Sequence, residues 1–242
     1  MTTLLEEYAA LALDKQTTLE RLTDTAAAWF VDQNIGQLTL GDEHFTIHWL
    51  GTYSHHSGSW LWAWANPHLT MTTNDAASAD ILRAYIAPDA AAEGDGSTNL
   101  FQNPADTALL TQEGFKLDVT ELHNLAAVAC GLTGADAYYL GDYGDGIALL
   151  AIHDPRVAAA WQEDDSPARI LSIIPQTINL FDLNHQNAVR AYLLAKGYQL
   201  NEDAQHIRAQ RADSQITATF DDMQSLSNLS RSEEHTSELQ SR

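Results

Sequence analysis

Four of the chain's six tryptophans lie between Trp49 and Asn66, in the run Trp-Leu-Gly-Thr-Tyr-Ser-His-His-Ser-Gly-Ser-Trp-Leu-Trp-Ala-Trp-Ala-Asn. Period-2 runs flank a Ser/His/Gly turn, so the stretch predicts a β-hairpin. A two- or four-residue loop centred on His56 and Ser57 sets Tyr53 against Trp60, Gly51 against Trp62 and Trp49 against Trp64. Residues opposed in an antiparallel pair share a face. Trp49, Tyr53, Trp60, Trp62 and Trp64 are therefore expected to form one aromatic patch, with Gly51 leaving room for Trp62. A three-residue loop would shift this register and split the pairs.

Such a patch has two uses. Tryptophan offers a flat apolar face and one N–H donor, so these five residues are candidates to line a pocket for a planar or sugar-like ligand. Large rings on one sheet face are equally what a helix packs on, and core packing is the commoner fate.

Gly-Thr-Tyr-Ser-His-His-Ser-Gly-Ser-Trp-Leu-Trp-Ala-Trp-Ala-Asn (51–66) follows an amino-terminal Leu-Ala-Leu-Asp-Lys-Gln helix (11–16). In this combination the chain resembles a family of uncharacterised bacterial proteins, a domain of unknown function. The resemblance covers at least residues 4–66. It implies no activity, because the family has no assigned reaction.

The last twelve residues, Arg231-Ser-Glu-Glu-His-Thr-Ser-Glu-Leu-Gln-Ser-Arg242, resemble a translated sequencing adapter and are set aside as a non-native tail. Residues 1–230 then form the expected single domain, with a subdivision possible near 90–107. The formal charge is −21, and without the tail's two Arg and three Glu it is −20. That surface repels nucleic acid and anionic membranes and favours a basic protein partner. A single cysteine, Cys130, argues against a disulfide framework and cysteine metal clusters. Neither a basic-then-apolar leader nor an apolar run of membrane-spanning length is present, so the expected location is the cytoplasm.

Along the chain, Thr3 and Glu6 have capping-box spacing ahead of an amphipathic helix to about Leu22. Short strands are expected at Trp29–Val31 and Leu38–Leu40, and the main hairpin runs to Asn66-Pro67. Asn74 is the expected N-cap of a helix stopped by Pro88, and 90–107 reads as a hinge or lid. Asp118 and Glu121 open a helix closed by Gly131. A second hairpin, Ala137–Leu140 with Ile147–Ile152, turns at Asp142-Tyr-Gly-Asp-Gly146. Ile170–Ile174 and Ile178–Phe181 read as strands parted by Pro175. Asn184 caps a helix ended by Gly197, and strands follow at 198–200, 206–210 and 216–220. Antiparallel hairpins with helices between them predict an α+β fold, the helices packed on one face of the sheet.

The candidate chemistry is sparse. His44 and His48 share a strand face next to the turn residues His55 and His56, a pattern that suits zinc or nickel. No cysteine or placeable carboxylate joins them, so no metal site is assigned. The Asp142–Gly146 turn lacks an EF-hand's bidentate glutamate, and Asp-Gly is itself a hairpin signal. No nucleophile elbow or glycine-rich phosphate loop appears, and no cofactor or catalytic residue is assigned. Arg190, Lys196, Arg208 and Arg211 concentrate positive charge within a short span and are candidates to hold an anion. Pairing with neighbouring acids such as Glu202 and Asp203 is the competing account. The expected function is a non-catalytic binding or protein-interaction module with an acidic surface. The alternative is a small-molecule binder or hydrolase-like enzyme with a pocket beside the tryptophans.

Overall fold

Helix α1 (Leu4–Leu22) opens on the expected capping box: Thr3 Oγ1 accepts the Glu6 N–H, and the Glu6 carboxylate accepts the Thr3 N–H. The computed structural model, which describes residues 3–85, 101 and 104–233, then places two antiparallel sheets around this helix. The fold is α+β. The expected hinge at 90–107 falls mostly outside the described residues; Pro104–Leu110, which overlaps its end, forms a 3-10 turn.

The first sheet is built on one long strand. After β1 (Trp29–Asp32) and β2 (Gln37–Leu40), strand β3 runs from Glu43 to Ser54. One edge of β3 pairs first with β2 and then with β4 (Ser59–Trp62), which carries β5 (Gly114–Lys116). Its other edge pairs with β7 (Gly146–Ile152), which pairs in turn with β6 (Ala137–Asp142). The run Gly-Ile-Ala-Leu-Leu-Ala-Ile of β7 has little alternation because both its faces are covered. Leu149 and Ala151 join the larger core, while Ala148, Leu150 and Ile152 join another on the opposite face.

Helices α2 (Thr73–Arg83) and α3 (Leu122–Thr133) lie with α1 over the larger core, against Tyr53, Trp60 and Trp62. The N-cap of α2 is Thr72 rather than Asn74, with Asp75 completing a capping box. Helix α3 passes through Gly131 and stops at Gly134, whose φ of 71° is the left-handed conformation that ends helices. Gly131 instead lets the Tyr8 ring of α1 lie against α3: a Cβ there would sit 2.2 Å from Tyr8 Cδ1.

The remaining chain adds α4 (Pro155–Glu163), α5 (Pro167–Leu180), α6 (His185–Ala195) and the strands β8 (Gln199–Glu202), β9 (His206–Arg211), β10 (Ser214–Phe220) and β11 (Leu226–Glu233). The two strands expected at 170–181 are in fact helix α5. Its buried residues Ile170, Ile173, Ile174 and Thr177 follow helical spacing. Pro175 removes one backbone donor, and the buried face holds the helix across it. Strand β11 pairs with β10 through Arg231↔Ile216 and on to Glu233↔Ser214. The sheet thus passes the expected end of the domain at 230 by three residues; 234–242 lie outside the described residues.

Candidate functional site

The hairpin register holds where the two strands pair: Tyr53 faces Trp60 and Gly51 faces Trp62. The expected single aromatic patch does not form, for two local reasons. The chain leaves β4 at Trp62 and winds into a 3-10 turn over Ala63–Ala65, so Trp64 has no cross-strand partner. In β3, Trp49 pairs with Leu150 and Gly51 with Leu149, so Leu50 is an inserted bulge residue. The bulge reverses the alternation. Phe45, Ile47 and Trp49 face one core, whereas Leu50 and Tyr53 face the other.

The five candidate residues therefore divide. Tyr53, Trp60 and Trp62 are core residues, and the Trp62 indole donates to Leu109 O at 2.9 Å. Trp64 stacks on Trp62 with centroids 4.9 Å apart, and the Arg83 guanidinium sits 5.8 Å from the Trp64 ring. The ring over Gly51 is that of Trp60, not Trp62. Trp49 lines a cleft.

That cleft, of about 600 Å³, lies on the bulge-reversed face beside β1. Trp29, Phe30, Trp49 and Tyr143 supply its aromatic lining, and Thr52 and Asn66 two of its polar groups. Trp29 lies close over the backbone of Gly141, where a Cβ would meet its ring at 2.8 Å, and it packs edge-on against Tyr139. Phe30 and Tyr143 stand open to solvent at 67% and 52% exposure. Asn66 donates to Thr52 Oγ1 at 3.2 Å and accepts the His68 N–H at 3.0 Å. Burial, then the charges of Asp145 and Asp142, raise the pKa of the Tyr143 phenol. Trp29, Phe30 and Tyr143 escaped the sequence reading because they belong to two other hairpins. Only the exposed aromatic in the Asp-Tyr-Gly-Asp-Gly turn hinted at them.

A second cluster lies at the other end of the bulge. His48 stacks on His153 with centroids 4.0 Å apart, and its Nδ1 is 2.8 Å from Ser78 Oγ. Asp75 accepts the backbone N–H of Trp49 at 2.7 Å and that of Thr72, fixing α2 against β3. Burial lowers the pKa of both imidazoles; for His153, with His48 and Lys15 adding to the effect, it falls to about 4. The four histidines do not converge. His44 contacts Thr39, and His55 lies near Asp142 at the turn. Among the described residues no group of three or more metal-ligating side chains is assembled.

The basic candidates are each matched to an acid. Arg190 pairs with Glu202, Arg208 with Asp203, and Arg211 with Asp165. Lys196 lies between Asp14 and Asp165, at 3.3 and 2.8 Å. Lys196 and Arg211 belong with Arg169 and Trp161 to a cluster around the fully buried carboxylate of Asp14. The four do not form one cationic pocket. Among the described residues no helix is long and apolar enough to cross a membrane.

Fold and cleft together define an α+β protein with a Trp-rich antiparallel sheet and an aromatic cleft at its bulged central strand. The chain belongs to the family of unknown function DUF6882, whose family model matches residues 2–155, from α1 through β7. No match was found among the curated proteins or among the solved structures.

Proposed function

We propose that this protein is a cytoplasmic, non-catalytic binding module and that the aromatic cleft beside Trp49 is its site. The observation that carries the reading is the cleft's lining. Four aromatic side chains from three hairpins meet around a volume suited to a small ligand, and two of them are left open to solvent. Its polar groups are amides, hydroxyls and the His68 imidazole, the groups that orient a ligand. The Ser78–His48 contact, which resembles a nucleophile and its base, is packed under α2, with Ser78 buried. A reactive centre needs access to substrate, so this pair reads as structural. The free Cys130 is buried, and its thiol pKa is pushed up to about 12 by burial, which suits a structural residue.

The test is a ligand-observed NMR screen of neutral and charged aromatic and aliphatic fragments. It compares the full chain with the Phe30→Ser/Tyr143→Ser double variant. Both positions are exposed, so the variant should melt within a few degrees of the wild type. Fragments that compete for one site on the wild type and lose binding in the variant are the expected result. Absence of binding, or binding the variant leaves unchanged, would remove the cleft as the site.

A further inference from the structure

We infer that the cleft selects a small organic cation bearing an alkylated ammonium group, an inference that rests on the cleft being a binding site. Among the described residues no Lys, Arg, Asp or Glu lines it. The chain around it is nevertheless acidic. Asp142 and Asp145 share the turn that carries Tyr143, Asp32 is the sequence neighbour of the lining residues Val31 and Gln33, and the whole chain carries −21. Burial first, and then the charges of Asp145 and Asp142, raise the Tyr143 phenol pKa, so both carboxylates lie within electrostatic reach of this lining residue. Asp142 itself is held by the Gly144 N–H and lies 3.4 Å from His55 Nε2. An anion would be repelled, and a neutral ligand would gain nothing from that charge. A cation gains both from the field and from the negative faces of aromatic rings.

The polar groups narrow the class further. Thr52 Oγ1 accepts from Asn66, and Asn66 Oδ1 accepts from His68 N, so both already serve as acceptors inside the protein. A primary ammonium has three N–H donors, and with no lining carboxylate it would exchange its hydration shell for neutral amide, hydroxyl and imidazole acceptors alone. A trimethylammonium group has no N–H to satisfy and presents a methylated, weakly hydrated surface to the rings. The cleft's volume falls in the small-molecule range.

Choline and its neutral carbon isostere 3,3-dimethyl-1-butanol have the same shape and differ in charge. Both are titrated into the full chain while the indole N–H signals of Trp29 and Trp49 are followed by NMR, those signals being assigned with Trp→Phe variants. Choline is expected to bind roughly three- to thirtyfold more tightly than the isostere, the span of cation–π contacts from exposed to desolvated sites. Asp145→Asn should weaken choline and leave the isostere unchanged, and added salt should act in the same sense. Equal affinity, or preference for the isostere, overturns the inference while leaving the cleft a binding site. If neither probe shifts Trp29 or Trp49 although other fragments occupy the cleft, the cation inference falls alone. If no fragment occupies it either, both readings fall.

Discussion

A missing side chain at position 51 lets the Trp60 indole cross β3. A Cβ built there would sit 2.3 Å from Trp60 Cζ2 and 2.6 Å from the Leu61 carbonyl oxygen. The ring belongs to a fully buried tryptophan and the oxygen to backbone, so neither can move aside cheaply. Gly51→Ala should therefore lower the unfolding free energy by at least about 2 kcal/mol in denaturant melts, within the usual range for overpacking. A loss under about 0.5 kcal/mol would mean that the ring lies elsewhere. The glycine and its neighbours were legible in the sequence, because turn length and alternation set which residues oppose one another. Which ring covers the glycine was not, since an indole is long enough to reach a diagonal neighbour. Nor was the placement of Trp49. One inserted residue at Leu50 transfers every residue before it to the other face, and a bulge leaves no mark in an apolar pattern.

Among the elements, α1 was read as amphipathic, whereas the structure uses it on several sides. Leu5 and Ala9 enter one core, Ala10 a second and Leu19 a third. On the same helix Asp14 is fully buried, held by the Arg169 guanidinium, the Trp161 indole and Lys196. All three partners come from α4, α5 or the end of α6. Asp14→Ala would remove the buried carboxylate that Arg169 and Lys196 share, leaving each only a partly exposed partner, Asp164 or Asp165. It should cost roughly 3–5 kcal/mol, as for a buried ion pair broken on one side. Asp80→Ala, which removes only the exposed contact to Arg83, should cost less than about 1 kcal/mol and is the control. Equal effects on the denaturation midpoint would mean that the Asp14 cluster is not closed in solution. An acid in a helical pattern is ordinarily solvent-facing, so the sequence could not announce this one. Helix α5 was missed for a related reason: Pro175 and a β-branched run suggested strands, and burial on one helical face outweighed both.

At the scale of the whole molecule, the family match ends at residue 155, but the cores do not divide there. Ala10 and Leu13 of α1 pack with Ile170, Ile173, Tyr192 and the inner residues of β9 and β10. Leu19 of α1 and Val157 of α4 share the core beneath β3 and β7. Removing α4–α6 would expose this side of α1 and take away every partner of the Asp14 side chain named above. We therefore expect the amides of β9–β10 and those of β3–β7 to exchange through one opening of the same free energy. A fragment covering residues 1–155 should show no comparably protected amides. Native-state hydrogen exchange on the full chain and the fragment measures both, because it assigns an opening free energy to each segment separately. If β9–β10 opened at a free energy more than about 2 kcal/mol below that of β3–β7, the second sheet would be an independent cooperative unit. If the fragment kept full protection in β7, α1 would owe its place to the first sheet alone.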